Sequence, residues 1–144
     1  MKGFTLIAAA ILSAVGIAAG HEPQAQARSV RDGVYTAAQA TQGKTAYEAK
    51  CQSCHGTMAS ATPDMAPLLN DYTFQDAWKE KTVAQFFERV RRTMPQNEPG
   101  SLSPQVTAEI IAYILSANKL PAGDVALSSD VEALKGIRLD AVEP

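Results

Sequence analysis

The sequence has very few of the side chains that bind metals or transfer protons in enzymes. It contains two histidines and two cysteines in 144 residues, and one histidine, His21, lies in a segment that we expect to be removed. Four protein ligands for a structural zinc ion are therefore difficult to find in the mature chain. A pair of histidines for acid–base catalysis is missing too. The composition argues against a zinc protein and against a histidine-based enzyme.

Aromatic residues and long runs of one charge sign are also scarce. Phenylalanine, tryptophan and tyrosine make up 6% of the sequence, so large aromatic side chains contribute little volume to the core of this small domain. A large apolar cofactor would form a substantial part of such a core. The formal net charge is −2, which argues against nucleic acid and against an anionic membrane surface as the partner.

The N-terminal segment has the layout of a secretory signal. Met1-Lys2 precedes the apolar run Phe4–Ala19, and Ala25-Gln26-Ala27 is the small-x-small pattern that signal peptidase accepts. We therefore predict a signal peptide over residues 1–27, cut after Ala27. The mature protein would be periplasmic and would not span the membrane. An uncleaved N-terminal anchor is the alternative.

The residues after the signal, 28–144, suit a single domain, and we expect residues 121–144 to be a C-terminal extension packed on it. Capping residues and helical periodicity recur along this part, so we predict an all-α domain of about four to five helices. The first helix is expected to begin at Thr36, which forms a capping-box pattern with Gln39, and to run to Lys50.

Three more helices are predicted after an irregular stretch over residues 57–73. Each begins at side chains that can cap its first turn: Thr82, Ser103, and Ser129 with Glu132. The first two are expected to end at Met94, which precedes a proline, and near Asn118. The apolar residues of the first that are expected to point inward are Val83, Phe86, Phe87 and Val90.

The two cysteines stand in the motif Cys51-Gln52-Ser53-Cys54-His55, whose C-x-x-C-H spacing is the attachment signature of c-type haem. On a helical turn these positions project from one face, so two thiols can reach the two vinyl groups of one porphyrin. His55 would then lie under the ring and bind the iron. The motif therefore predicts one haem c, attached through two thioether bonds by Cys51 and Cys54.

Other uses of the two cysteines fit the sequence less well. A disulfide between Cys51 and Cys54 would close a very small loop and so constrain little of the unfolded chain. A thioredoxin-like redox pair needs a neighbouring βαβ pattern, which the sequence does not show. The haem interpretation is therefore favoured over both.

The second axial ligand has to come from a methionine, because the mature chain has no second histidine. Met58 follows His55 too closely to reach the other side of the ring. Met65 lies in a proline-rich loop, whereas Met94 ends an amphipathic helix where Pro95 fixes the chain. We predict Met94 as the ligand, with Met65 as the alternative and with core filling as the usual role of a lone methionine.

These residues resemble the class I cytochrome c family. Gly43 and Tyr47, ahead of the C-x-x-C-H motif, are similar to the family's first helix, and residues 110–115 are similar to its last. The resemblance implies a small cytochrome c fold, wrapped around the haem, in which these two helices approach closely. It also implies that a loop proline accepts a hydrogen bond from the haem histidine, for which Pro67 is the best match and Pro63 a weaker one.

A narrower set of strings is similar to the cytochrome c modules that accompany bacterial quinoprotein alcohol and sugar dehydrogenases. They are Phe74-x-x-x-Trp78, Thr93-Met94-Pro95, residues 99–103 and residues 118–123. By this resemblance Trp78 would lie beside a haem propionate, although an ordinary core position suits the same residue. The chain lacks the lysine-rich face of the mitochondrial members, so the partners of those members are not expected here.

The sequence therefore predicts a periplasmic electron carrier, not an enzyme, with one haem c whose iron is bound by His55 and Met94. Its expected partners are periplasmic redox proteins, with a quinoprotein dehydrogenase as donor and a terminal oxidase or another protein as acceptor. Two other functions stay open. One is a tightly bound cytochrome subunit of a quinoprotein dehydrogenase. The other, if Met94 does not bind, is a haem gas sensor or a peroxidase-like enzyme.

Overall fold

In a computed structural model, the described part of the chain comprises residues 28–59 and 71–140. Its helices are α1 (Ala37–Lys50), α2 (Gln52–His55), α3 (Tyr72–Trp78), α4 (Val83–Thr93), α5 (Pro104–Ala117) and α6 (Val131–Leu134). Its strands are β1 (Arg28–Ser29), β2 (Lys81–Thr82) and β3 (Ile137–Leu139), and a 3₁₀ turn over Val30–Asp32 follows β1. The predicted helical fold is confirmed, with six α-helices in the described ranges where four to five were expected.

Helix α1 begins at the predicted residue but without the predicted capping box. The Thr36 hydroxyl accepts a hydrogen bond from the N–H of Gln39 at 3.2 Å. The Gln39 side chain does not return this bond. Its buried amide instead bonds both backbone groups of Leu127, accepting from the N–H at 2.7 Å and donating to the carbonyl at 2.9 Å. Gln39 therefore ties α1 to the C-terminal extension.

Helices α1 and α5 approach each other closely at Gly43. A Cβ atom added to Gly43 would lie 1.7 Å from the carbonyl oxygen of Glu109, so a larger residue does not fit without separating the helices. Tyr47, one turn further along α1, packs on Tyr113 of α5 with ring centroids 5.3 Å apart. The close approach implied by the family resemblance is therefore present. The buried apolar residues of α5 include Ile110, Ile111, Ile114 and Leu115.

Helix α4 forms as its cap and periodicity predict. The Thr82 hydroxyl accepts from the N–H of Gln85, and the Gln85 side chain accepts from the N–H of Thr82, which completes a capping box. The residues predicted to point inward are buried: Val83, Phe86, Phe87 and Val90. The helix ends at Thr93, because Met94 has an extended backbone, as is usual before proline. Helix α5 also begins as predicted, with Ser103 as its cap and proline at its first position.

The stretch predicted as a loop through residue 73 contains the start of α3. Asp71 caps this helix, since its carboxylate accepts a hydrogen bond from the N–H of Phe74 at 2.8 Å. Phe74 and Trp78 lie one turn apart and both pack on Phe86 of α4, with centroid distances of 5.5 and 4.6 Å. At most a short helical turn was expected before residue 73. A helix that runs on to Trp78 was not predicted, because an aspartate suits a turn as well as a helix cap, and two aromatic residues give too short a periodic signal.

The C-terminal extension packs on the N-terminal end of the described chain. Strand β3 pairs in parallel with β1 and antiparallel with β2. A Cβ atom added to Gly123 would lie 2.1 Å from the carbonyl oxygen of Gly33, so the two segments are in close contact. The Tyr35 hydroxyl donates to the carbonyl oxygen of Leu120 at 2.6 Å, just before the extension begins.

The cap of α6 and the three short strands differ from the sequence prediction. Helix α6 is capped by Asp130, whose carboxylate accepts from the N–H of Glu132 at 3.0 Å, and not by a box of Ser129 and Glu132. Serine and aspartate are equally good caps, so their order along the chain does not decide which is used. The three strands were not predicted, because two or three residues are too few to show an alternating pattern.

The predicted signal peptide, residues 1–27, lies outside the described residues.

Candidate haem-binding site

A cavity of about 450 Å³ opens between the end of α1, the end of α4 and helix α5. Four of the predicted site residues line it: Cys51, Cys54, His55 and Met94. Its other lining residues are the apolar Val90, Pro95 and Ile114 and the polar Lys50, Ser53, Gln96 and Asn97. The fold thus brings the cysteine–histidine motif and a methionine from a distant part of the chain to one place.

The cysteine–histidine motif forms a short helical turn at the end of α1. The N–H of Cys51 donates to the carbonyl of Tyr47 at 2.8 Å, and the N–H of His55 donates to the carbonyl of Cys51 at 2.9 Å. Gly56 ends the turn with a φ of +71°, a conformation that favours glycine. Because the turn is helical, its positions i, i+3 and i+4 share one side, and both thiols and the imidazole line the same cavity.

The two thiols are not joined by a disulfide bond. Cys54 is exposed and Cys51 is half-buried. Burial, reinforced by the neighbouring Cys54 thiol, raises the pKa of the Cys51 thiol to about 11. A nucleophilic cysteine usually has a lowered pKa, so Cys51 does not have the electrostatics of an activated thiol.

Met94 reaches the cavity from the end of α4. Its N–H donates to the carbonyl of Val90 at 2.9 Å, which keeps the residue in register with the last helical turn. Met58 is half-buried against the core and does not line this cavity, and Met65 lies outside the described residues. Of the two methionines in the described ranges, Met94 is therefore the one that shares a cavity with His55.

The donor set of the cavity fits a c-type haem. Two thiols are available for covalent attachment, and an imidazole with a thioether is the ligand pair typical of cytochromes c. Val90 and Ile114 provide an apolar wall against which a porphyrin can be buried. The Nε atom of Arg91, in the last turn of α4, is buried and has no hydrogen-bond partner within the described part of the chain, but Arg91 is not among the residues that line the cavity.

The structure does not place Trp78 in the wall of this cavity. Its ring centroid lies 4.6 Å from that of Phe86, and the Lys81 ammonium lies 5.5 Å from the ring. Within the described ranges, Trp78 thus occupies a half-buried packing position, and its contact with a haem propionate stays a prediction. Pro67, like the weaker candidate Pro63, lies outside the described residues, so its bond to the haem histidine also stays a prediction.

Among the residues that sequence reasoning did not assign to this site, two form its apolar wall and a third bonds the attachment turn. Val90 lies one turn before Met94 on the inward stripe of α4, so helical spacing is the signal that could have found it. Ile114 lies on the buried face of α5 in the same way. The third is Tyr47, whose hydroxyl donates to the carbonyl of Gly56 at 3.0 Å. No local pattern signals this bond, because it joins a helix side chain to the backbone of a separate turn.

The fold and the cavity together define a class of protein. Close contact between a first and a last long helix, with the attachment motif at the end of the first, is the architecture of a small class I cytochrome c. The comparison with protein families agrees with this class. A family model described as cytochrome c oxidase, cbb3-type, subunit III matches residues 38–114, from the start of α1 to the last turn of α5.

This match covers more than half of the chain, so the chain belongs to that family of cytochrome c domains. It is therefore a haem-containing electron-transfer protein with a covalently bound c-type haem and its iron. No curated protein and no solved structure matches the chain significantly. Among the described residues, none of the helices has the length and apolar character needed to cross a membrane.

Proposed function

We propose that this protein is a periplasmic one-electron carrier whose single haem is held by four of its side chains. Cys51 and Cys54 would form the two thioether bonds, and His55 and Met94 would be the axial ligands of the iron. The observation that supports this most strongly is that all four side chains line one cavity, although Met94 comes from a different helix.

The bound haem supplies an iron that takes up and releases one electron. The protein's own residues hold this group and keep water away from it. Val90 and Ile114 form an apolar wall. Such a wall favours the less charged oxidation state of a haem buried against it. A methionine sulfur as ligand favours a higher reduction potential than a second histidine would. If His55 and Met94 both hold the iron, the chain leaves no iron position for a substrate, which would suit a carrier and not an enzyme.

Replacing Met94 tests the ligand assignment directly. Met94→Ala removes the sulfur and frees one axial position, so the reduced variant should bind carbon monoxide and its midpoint potential should fall. Met58→Ala is the matched control, because it removes the same atoms from a half-buried residue outside the cavity. The control and the wild type should not bind carbon monoxide. A Met94→Ala variant with the wild-type spectrum and potential would refute the assignment and make Met65 the next candidate.

We also propose export to the periplasm with removal of residues 1–27. The layout of that segment supports this, as does the typical location of cytochrome c domains, which are periplasmic or face the outside of the cell. The proposed donor is a quinoprotein dehydrogenase and the proposed acceptor a terminal oxidase. The support for the donor is the sequence likeness around Trp78, Met94 and residues 99–103.

A permanently bound subunit of a larger redox complex is the second candidate. The family description names a subunit of an oxidase, and the narrower sequence likeness is to modules of quinoprotein dehydrogenases. Size-exclusion chromatography of a native periplasmic extract separates the two possibilities. A free carrier should elute near its own mass. Elution at a much higher mass, together with dehydrogenase or oxidase activity, would support the subunit and contradict the free carrier.

A further inference from the structure

We propose that Tyr47 is a positioning residue that holds the attachment turn at both ends and so fixes His55 in the cavity. The carbonyl oxygen of Tyr47 accepts the N–H of Cys51 at 2.8 Å, where the turn begins. The hydroxyl of the same residue donates to the carbonyl of Gly56 at 3.0 Å, where the turn ends. The inference rests on the proposed function, because it requires His55 to be an iron ligand.

Gly56 is the part of the turn that most needs such support. Its backbone angles are φ 71° and ψ −173°, a conformation that glycine adopts readily. Because glycine adopts many other conformations as easily, the residue alone does not fix the chain here. Its N–H donates to the carbonyl of Gln52 at 2.9 Å, and its carbonyl accepts the Tyr47 hydroxyl. With both polar groups bonded, the peptide units before and after Gly56 are each held by a hydrogen bond, so the backbone that leaves His55 is fixed on both sides of the glycine.

Tyr47 is itself held rigidly. Its side chain is 0% exposed, and its ring packs on Tyr113 of α5 at a centroid distance of 5.3 Å. Gly43, one turn earlier, allows α5 to approach so closely that this part of α1 has no room to shift. A phenylalanine would fill the same space, so the ring serves the packing between helices, while the hydroxyl serves the turn. A hydroxyl buried to this extent needs a partner, and among the described residues the carbonyl of Gly56 provides it.

The test compares Tyr47→Phe with Tyr35→Phe in the holoprotein. Both variants lose a buried phenol that donates to a backbone carbonyl, at Gly56 in one case and at Leu120 in the other. Hydrogen exchange is measured at the Gly56 amide, which reports local opening of the turn, and at Ile111, a core amide of α5 that reports global unfolding. We expect the exchange ratio, the rate at Gly56 in the variant divided by that in the wild type, to be roughly two to ten in Tyr47→Phe and about one in Tyr35→Phe.

A second readout reports on the histidine itself. The hyperfine-shifted haem methyl resonances of the oxidised protein depend on the orientation of the axial ligands. Their pattern should change in Tyr47→Phe and not in Tyr35→Phe. If either the exchange ratio or the methyl pattern is the same in the two variants, Tyr47 is only a core residue and the inference is overturned.

If Tyr47→Phe does not accumulate as holoprotein, the amount of covalently attached haem is compared between the variants instead. Tyr113→Phe is then added, because the Tyr113 ring contacts Tyr47 while its hydroxyl makes no hydrogen bond to any described residue. Loss of haem in Tyr47→Phe alone supports the inference, and equal loss in all three variants overturns it. The spectrum of the wild type separates a failure of the proposed function from a failure of this inference. If the wild-type protein lacks a c-type spectrum, the proposed function is wrong. If the wild type has that spectrum and the variants do not differ from one another, only the role of Tyr47 is wrong.

Discussion

Replacing Gly43 by alanine should destabilise the holoprotein by about 3 kcal/mol or more. The added Cβ atom would lie 1.7 Å from the carbonyl oxygen of Glu109 and 2.4 Å from its carbonyl carbon, whereas ordinary contact begins near 3.4 Å. Because the obstructing atoms are backbone, α1 and α5 have to separate by an amount on the order of 1 Å. A gap of that size removes roughly a quarter to a half of each dispersion contact. The loss extends to the side chains packed along the same interface, Tyr47, Ile110 and Tyr113.

Urea denaturation of the holoprotein, followed by circular dichroism, measures this loss. Gly136→Ala is the matched control, because no atom lies within 4 Å of a Cβ atom added there, and we expect it to change stability by less than about 0.5 kcal/mol. For a domain of this size, a loss of 3 kcal/mol should lower Tm by about 10 °C. If Gly43→Ala and Gly136→Ala unfold at the same urea concentration, the two helices do not approach as closely as described and the reasoning is refuted.

Three further predictions concern attachment, the extension and pH. Mass spectrometry of the wild type should give the polypeptide cut after Ala27 plus one haem, and Cys54→Ala should sharply lower covalent haem content because one thioether is lost. Gln39→Leu should destabilise the protein by about 2 kcal/mol in urea denaturation, since both backbone groups of buried Leu127 lose their partner. Burial raises the pKa of Tyr47 above its ordinary 10.0, so the folded state keeps this proton longer than the unfolded chain does. Stability should therefore fall as pH rises above 10, and Tyr47→Phe should make that fall less steep.

The parts of the fold that the sequence predicts well are those in which neighbouring residues decide the structure. Thr36, Thr82 and Ser103 each bond an N–H three residues ahead, so a short string of residues is enough to locate the start of a helix. The attachment turn is local in the same way, because its three functional side chains lie within five consecutive residues. Met94 was predicted as a ligand by elimination and by its place at a helix end, and the structure places it in the same cavity as His55.

The parts that could not be predicted depend on residues far apart in the chain. Gln39 matches a capping box by its spacing, but its amide bonds Leu127, 88 residues later. The short strands exist only because β3 lies between β1 and β2, and none of them has a pattern of its own. The bond between the Tyr47 hydroxyl and Gly56 spans only nine residues, but it also could not be predicted. A tyrosine in a helix gives no sign of which carbonyl its hydroxyl will reach.

The candidate site depends on the helix contact beside it as well as on its own residues. Gly43 allows α5 to approach α1, which brings Tyr113 onto Tyr47, and Tyr47 bonds the end of the turn that carries His55. Separating the helices at Gly43 would therefore move the support of the histidine in addition to weakening the fold. In Gly43→Ala the midpoint potential should shift together with the urea midpoint. Gln39→Leu, which loosens only the extension, should lower stability and leave the potential at the wild-type value. A Gly43→Ala variant with lowered stability and an unchanged potential would show that the turn is held independently of the contact between α1 and α5.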